Sequence, residues 1–168
     1  TFRKIRKNGF QLQGKSLEND LYEEVSRNLK IPLKRVQKVV DQWIYQSPLK
    51  YLKKCVYPDI YFFIKKLKSQ GTKIVFYSDY PCEEKLKVLN IDYDLAVHSS
   101  MPEINELKPN FKGLDYIARE IEIQDKNSVL FIGDCAEKDG ESARIFGIDF
   151  YLKDRFINYY QLYDMLAE

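Results

Sequence analysis

The chain has 168 residues, enough for one compact domain or for a domain with a small insertion. Its 27 Lys and Arg residues nearly balance 25 Asp and Glu residues, and a net charge of +2 does not predict nucleic-acid binding. Apolar residues make up 45% of the chain, which is typical of a soluble globular protein, and no apolar run reaches the roughly 18 residues of a membrane span.

The cysteine and histidine content restricts the possible chemistry. Cys55, Cys82 and Cys135 are isolated and are not at metal-ligand spacing. Their odd number favours a reducing cytoplasm over a disulfide framework, so we predict a cytoplasmic location. His98 is the only histidine. A metal centre built from histidines is therefore nearly excluded, and so is a choice between alternative Ser-His-Asp triads.

The first third of the chain has helical patterns. Ser16 is a suitable N-cap for a first helix, and Pro32 opens a second one that Pro48 ends. The apolar positions at helical spacing are Leu17, Leu21, Val25 and Leu29 in the first helix, and Val36, Val39, Val40, Trp43 and Ile44 in the second. Two such helices cannot form a core alone, so we expect them to pack on the rest of the chain.

Beyond Pro58, helical and strand patterns alternate. Helices are predicted over residues 60–67, closed by Gly71, and over 83–89, 111–121, 141–146 and 156–166, with strands over 73–77, 95–98, 129–132 and 149–152. Short β-rich runs such as 73–77 are typical of strands buried on both faces. The alternation predicts an α/β fold, with helices on both faces of a parallel sheet and right-handed crossovers.

Three strand ends carry polar groups, at the edge where such sheets bind ligands. They are Ser78-Asp79 after strand 73–77, Leu107-Lys108-Pro109 after strand 95–98, and residues 133–139 after strand 129–132. A serine hydroxyl can bind phosphoryl oxygens, and a lysine offsets their charge. Asp134 and Asp139 offer the oxygen ligands that Mg²⁺ prefers. Groups of these types fit the binding of a phosphoryl group and a metal ion.

These segments resemble three of the four signature motifs of the haloacid-dehalogenase-like (HAD) superfamily. The segment YPDIYFFIKKLKSQGTKIVFYSDYP resembles the region of motif II, KPNFKGLDYIARE that of motif III, and VLFIGDCAEKDGESARIFGID the GDxxxxD motif IV. The resemblance spans residues 55–153. It implies a Rossmann-like core over 53–168 and a small helical cap over 1–52.

The resemblance also implies a function and roles for individual residues. It implies a Mg²⁺-dependent phosphatase that hydrolyses small phosphorylated metabolites through an aspartyl-phosphate. Ser78 would bind phosphate, Lys108 would be the motif III lysine, and Asp134 and Asp139 would hold the metal. For Asp79, substrate contact and turn capping stay open.

The first HAD motif, an apolar strand followed by Asp-x-Asp, has no counterpart here, because residues 1–15 contain no Asp or Glu. Asp92-Tyr93-Asp94 precedes strand 95–98, and we therefore place it at the amino end of the sheet. The chain as given is thus expected to lack the nucleophile and to be inactive. The missing strand is central in the family, so a gap is predicted between strands 73–77 and 129–132, with self-association possible through their unpaired edges.

Several alternatives stay open at this stage. The chain could be cut just after motif I, or it could be a natural degenerate relative. A catalytically dead HAD-like binding module is the second functional hypothesis, and dehalogenation is a further chemistry of the family. Ser78 could merely cap a turn, Lys108 could be a solvated charge, and Asp134 could be a helix N-cap. Lys34, Arg35 and Lys38 could favour anionic substrates or form a solvated helix face.

Overall fold

A computed structural model describes residues 2–7, 16–153 and 157–167. The helices are α1 (Phe2–Lys7), α2 (Leu17–Leu29), α3 (Leu33–Val40), α4 (Leu52–Cys55), α5 (Ile60–Ser69), α6 (Glu83–Leu89), α7 (Lys112–Glu120), α8 (Glu141–Phe146) and α9 (Tyr159–Ala167). The strands are β1 (Val75–Ser78), β2 (Leu95–His98), β3 (Leu130–Gly133) and β4 (Asp149–Leu152). Within the described ranges, no helix is long and apolar enough to cross a membrane.

The start of α2 follows the sequence prediction. The Ser16 hydroxyl oxygen accepts a hydrogen bond from the Asn19 backbone N–H at 3.3 Å, which satisfies one of the free donors of the first turn. The helix ends at Lys30, which has left-handed backbone angles. Helix α1 was not predicted, because six residues are too few to show a clear apolar period.

The second predicted helix is less regular than the sequence suggests. After α3 the chain continues as a π-helical turn (Asp41–Gln46) and a 3₁₀ turn (Ser47–Lys50) that contains Pro48. The predicted apolar face is also too wide, since Val39 is 49% and Trp43 66% exposed, while Val36 and Val40 are buried. Residues four positions apart share one face of a helix, and the wider π turn rotates the following side chains away from it.

Helices α1 to α3 pack together and against the rest of the chain. Their buried side chains are Phe2, Leu17, Leu21, Val25, Val36 and Val40, and they form one cluster with Leu107. Tyr80 packs on the same cluster. The helical segment therefore contacts the loop before Lys108, as expected for helices that cannot form a core alone.

The strands are parallel and have helices on both of their faces. Val75 and Tyr77 of β1 and Phe131 of β3 belong to the apolar cluster that includes buried residues of α7 and α8. Phe76 and Ile132 belong to the opposite cluster, which includes buried residues of α5 and α9. The strands therefore lie between two layers of helices, as predicted.

Hydrogen bonding divides the strands into two pairs. β1 pairs with β2 in the register Val75 to Leu95, and β3 pairs with β4 in the register Leu130 to Asp149. In the described part of the chain, no backbone hydrogen bond joins β1 to β3, so the four strands form two separate sheets, with a break in the pairing at the predicted gap. The rings of Tyr77 and Phe131 nevertheless stack with their centroids 6.3 Å apart.

Strands β1 and β3 are also less buried than the sequence pattern predicts, because their inner edges are unpaired. All four residues of β1 are only half-buried, and Leu130 of β3 is 38% exposed, although the sequence pattern predicted strands covered on both faces. A central strand loses exposure when neighbours pair with both of its edges, and β1 and β3 each have one partner here. The two strands end side by side, and their carboxyl-end loops meet at one place.

Candidate functional site

A cavity of about 490 Å³ opens at the carboxyl ends of β1 and β3. Its lining residues are Tyr77, Ser78, Asp79, Tyr80, Lys108, Phe131, Ile132, Gly133, Asp134, Cys135, Lys138 and Asp139. All five residues singled out from the sequence are among them. The cavity therefore brings together side chains that are far apart in the chain, from three separate segments.

Lys108 lies across the space between the two strand pairs. Its Nζ is 2.6 Å from Asp139 Oδ1, and the two side chains are 9% and 8% exposed. The same Nζ is 4.8 Å from the ring centroid of Tyr77 and 5.6 Å from that of Phe131. Lys108 is therefore a buried, ion-paired cation and not a solvated surface charge.

Asp79 connects three segments through its carboxylate. It accepts hydrogen bonds from Ser99 Oγ at 3.0 Å, from the Lys108 backbone N–H at 3.3 Å and from Lys138 Nζ at 2.9 Å. Burial alone would raise the pKa of Asp79, but the charge of Lys108 and the hydrogen bond from Lys138 outweigh it and hold the pKa below its ordinary value. In this arrangement the carboxylate links loops and does not simply cap a turn.

Ser78 is the last residue of β1 and lies at the wall of the cavity. Its Oγ accepts a hydrogen bond from the Tyr80 backbone N–H at 3.1 Å. The hydroxyl thus stabilises the turn after β1 as well as lining the cavity. A hydroxyl has one proton to donate in addition to its lone pairs, so this contact leaves it able to bind an oxyanion.

Asp134 and Asp139 both follow β3, yet their surroundings differ. Asp139 is buried, and its Oδ2 accepts a hydrogen bond from the Cys135 backbone N–H at 3.2 Å. Asp134 is exposed at the cavity. Two carboxylates on one wall suit Mg²⁺ in their chemistry, since this ion is often held by one or two carboxylates with waters. Among the described residues, no group of three potential metal ligands is found.

A glycine determines how closely Asp139 can approach the end of β3. A Cβ atom at Gly133 would lie 2.6 Å from Asp139 Cβ and Oδ2, closer than side-chain atoms can pack. Gly133 therefore allows the Asp139 carboxylate to lie directly against the strand end.

Sequence reasoning did not single out two cations near the cavity. Lys138 lies within the segment that resembles motif IV. A sequence cannot show which of several lysine side chains contacts a residue of another loop. Arg6 is 1% exposed, and its Nη2 donates to Ser100 Oγ at 3.0 Å and to the Asp79 carbonyl oxygen. Its guanidinium lies 4.4 Å from the ring centroid of Tyr80. The only sequence signal for Arg6 was a basic start of the chain.

Two other reactive side chains in the described part of the chain, Cys82 and His98, are not among the residues that line the cavity. Burial raises the pKa of the Cys82 thiol to about 11, and its Sγ donates to the Val97 carbonyl oxygen at 3.7 Å. A protonated thiol is a poor nucleophile. His98 Nε2 lies 3.5 Å from Glu83 Oε1 at the end of β2.

The Asp92-Tyr93-Asp94 segment lies at the opposite end of the strands, as the sequence predicts. Asp94 Oδ2 accepts a hydrogen bond from the Ile74 backbone N–H at 2.7 Å, just before β1 begins. Lys68 Nζ lies 2.9 Å from Asp92 Oδ1 and 3.3 Å from Asp94 Oδ1. These carboxylates stabilise the amino end of the sheet.

A comparison with solved structures finds a similar chain, that of a HAD phosphatase from Thermococcus onnurineus. The superposition has a TM-score of 0.61 and covers 89% of this chain and 87% of the other. The chain has a HAD-like fold. At 18% identity the likeness establishes the fold alone. No protein-family model matches the sequence. No curated protein matches it either.

Within this HAD-like fold, the three motif-like segments converge on one cavity. Ser78 comes from the segment that resembles the motif II region, Lys108 from the one that resembles motif III, and Asp134 and Asp139 from the one that resembles motif IV. Their shared position at the carboxyl ends of parallel strands is the place where open α/β folds bind ligands.

Proposed function

We propose that this protein is a HAD-type phosphatase of small phosphorylated metabolites, and that the 168 residues supply its phosphate-binding and metal-binding groups. The convergence of Ser78, Lys108, Asp134 and Asp139 on one cavity carries the proposal. A hydroxyl, a buried ammonium group and two carboxylates are the groups that bind and neutralise a phosphoryl group during transfer.

Each side chain has a role that its position supports. The Ser78 hydroxyl and the backbone N–H groups after β1 bind phosphoryl oxygens. The Lys108 ammonium is buried beside the aromatic rings of Tyr77 and Phe131, where its charge acts more strongly than in water. It stabilises negative charge on the phosphoryl group and on an attacking carboxylate.

Asp134 and Asp139 would hold Mg²⁺, which supplies charge neutralisation at the phosphoryl oxygens when bound. The buried pairing of Asp139 with Lys108 keeps that carboxylate at the cavity wall. Because few protein ligands are available, we expect weak affinity, with a dissociation constant in the millimolar range or above.

The nucleophile of this proposal would be an aspartate on a further strand that pairs with the inner edges of β1 and β3. Two of the carboxylates that line the cavity are already engaged, since Asp79 accepts three hydrogen bonds and Asp139 pairs with Lys108. The unpaired inner edges of β1 and β3 leave backbone groups that a further parallel strand can pair with.

The first test is an activity assay of the 168-residue chain. We expect no hydrolysis of p-nitrophenyl phosphate or acetyl phosphate with Mg²⁺, because the covalent route needs a nucleophile. The Asp134→Asn variant is the control for contaminating phosphatases. Turnover that survives further purification and disappears in Asp134→Asn would show that these residues contain a complete site.

The second test concerns the coding DNA upstream of Thr1. An in-frame apolar strand followed by Asp-x-Asp, together with Mg²⁺-dependent turnover of the longer chain, supports the enzyme. A stop codon and a ribosome-binding site at that point would support an inactive HAD-like module that binds a ligand or partner. The observation behind this second candidate is that lysine side chains neutralise both Asp79 and Asp139.

A further inference from the structure

Two ion pairs cross the cavity in opposite directions. Lys108, in the loop after β2, reaches Asp139 beyond β3, with Nζ 2.6 Å from Oδ1. Lys138, beyond β3, reaches Asp79 beyond β1, with Nζ 2.9 Å from Oδ2. Since β1 and β3 share no backbone hydrogen bonds in the described ranges, these two pairs connect the halves of the fold at the site.

The two lysines differ in how far a ligand can reach them. The Lys108–Asp139 side chains are 9% and 8% exposed, whereas the Lys138–Asp79 side chains are 19% and 12% exposed. Asp79 directly follows Ser78, so the Lys138 ammonium is held beside the residue proposed to bind phosphate. Of the two cations, Lys138 is therefore the more accessible to an anion in the cavity.

The charged side chains that line the cavity indicate that binding a phosphoryl dianion needs a second cationic side chain. Asp79, Asp134 and Asp139 contribute three negative charges, and Lys108 and Lys138 contribute two positive ones. With a divalent ion bound, the lining carries one net positive charge. Without Lys138 it would be neutral, and a phosphoryl dianion would lose much of its attraction.

We propose that Lys138 is a second phosphate-binding residue of this site and that Asp79 is the residue that positions it. The inference rests on the phosphatase function proposed above. The Asp79 carboxylate fixes the ammonium before the substrate arrives, which lowers the entropic cost of ordering a long side chain. The ammonium donates a charge-assisted hydrogen bond to a phosphoryl oxygen. A pair of lysines plus a divalent ion favours a phosphomonoester dianion over a singly charged diester.

The test is a titration of the ¹⁵N-labelled 168-residue chain with inorganic phosphate at fixed Mg²⁺, followed by NMR. We expect Lys138→Gln to weaken phosphate binding about tenfold, the loss of one charge-assisted hydrogen bond. Lys138→Arg keeps the charge and should stay within about threefold of the parent. Lys68→Gln is the matched control, since Lys68 also pairs with carboxylates and is 25% exposed, but at the other end of the strands.

The outcomes separate this inference from the proposed function. Weaker binding in Lys138→Gln but not in Lys138→Arg or Lys68→Gln supports it. Unchanged affinity in Lys138→Gln, together with weaker binding in Lys108→Gln, overturns the role of Lys138 and leaves the phosphatase proposal intact. If the parent chain does not bind phosphate, or neither lysine matters, both are overturned. Equal losses in the Gln and Arg variants with a large fall in Tm would make Lys138 structural.

Discussion

At the scale of single residues, the buried Lys108–Asp139 pair has the clearest energetic consequence. Removing one partner of such a pair leaves a charge without compensation in a poorly solvated place. Asp139 would keep only its hydrogen bond from the Cys135 backbone N–H. Residues that serve a site thus also hold the two strand pairs together in this fold.

We expect Lys108→Ala to lower the free energy of unfolding by about 3 kcal/mol at neutral pH, the typical cost of breaking a buried ion pair. Urea denaturation measures this change. The control is Lys68→Ala, whose partners Asp92 and Asp94 are more exposed than Asp139, so that its loss of stability should be clearly smaller. Equal losses in the two variants would show that the Lys108 pair is not buried in solution.

Asp79 gives a prediction for the dependence of stability on pH. Its pKa in the folded protein is lowered from 3.8, so ionisation of Asp79 stabilises the fold at higher pH. This stabilisation is fully present above the unfolded-state pKa and is lost as pH falls through the folded-state pKa. The stability advantage of the parent over Asp79→Asn should therefore be constant near neutral pH and shrink below about pH 4.

Urea denaturation of both proteins between pH 7 and pH 2.5 provides the measurement. An advantage that stays the same at pH 2.5, or that grows as the pH falls, would contradict the lowered pKa of Asp79.

At the scale of elements, helix and strand bounds were predicted most accurately where the apolar periodicity agrees with residues that end an element, such as glycine. Helix α8 is followed by Gly147 with φ of +83°, a conformation that favours glycine, and its predicted bounds match the structure. Strand β2 also matches, because Val97 and its neighbours form a short apolar run between polar segments. In contrast, the π-helical turn after α3 has no sequence signature, since its side chains still follow a helical period.

The sequence predicted which residues lie at the candidate site, but it did not predict the contacts among them. Ser78, Lys108, Asp134 and Asp139 follow strands of a parallel sheet, and topology alone places such residues near each other. Which lysine pairs with which carboxylate depends on side-chain reach across the space between β1 and β3. For that reason the sequence showed neither the Lys138–Asp79 pair nor the place of Arg6.

At the scale of the whole molecule, the unpaired edges of β1 and β3 predict self-association of the 168-residue chain. Exposed strand edges with apolar side chains pair readily with other strands. We expect sedimentation velocity to show a mass that rises with concentration. Leu130→Lys, which places a charge on β3, should reduce this association, because Leu130 is 38% exposed.

Leu33→Lys is the matched control for that experiment. Leu33 is 36% exposed but lies on α3, away from the strand edges, so its replacement should leave association unchanged. A chain that stays monomeric at all concentrations would show that the side-chain packing of Tyr77 against Phe131 closes the edges sufficiently.

In the function that we propose, the carboxyl ends of β1 and β3 form a site for a divalent cation and a phosphoryl group. The most direct measurement is diffraction from crystals soaked with Mn²⁺ and inorganic phosphate, because Mn²⁺ gives an anomalous signal and has ligand preferences close to those of Mg²⁺. We predict an anomalous peak at the carboxylates of Asp134 and Asp139, with phosphate density beside Ser78. Ordered Mn²⁺ elsewhere, with neither ion in this cavity, would contradict the claim.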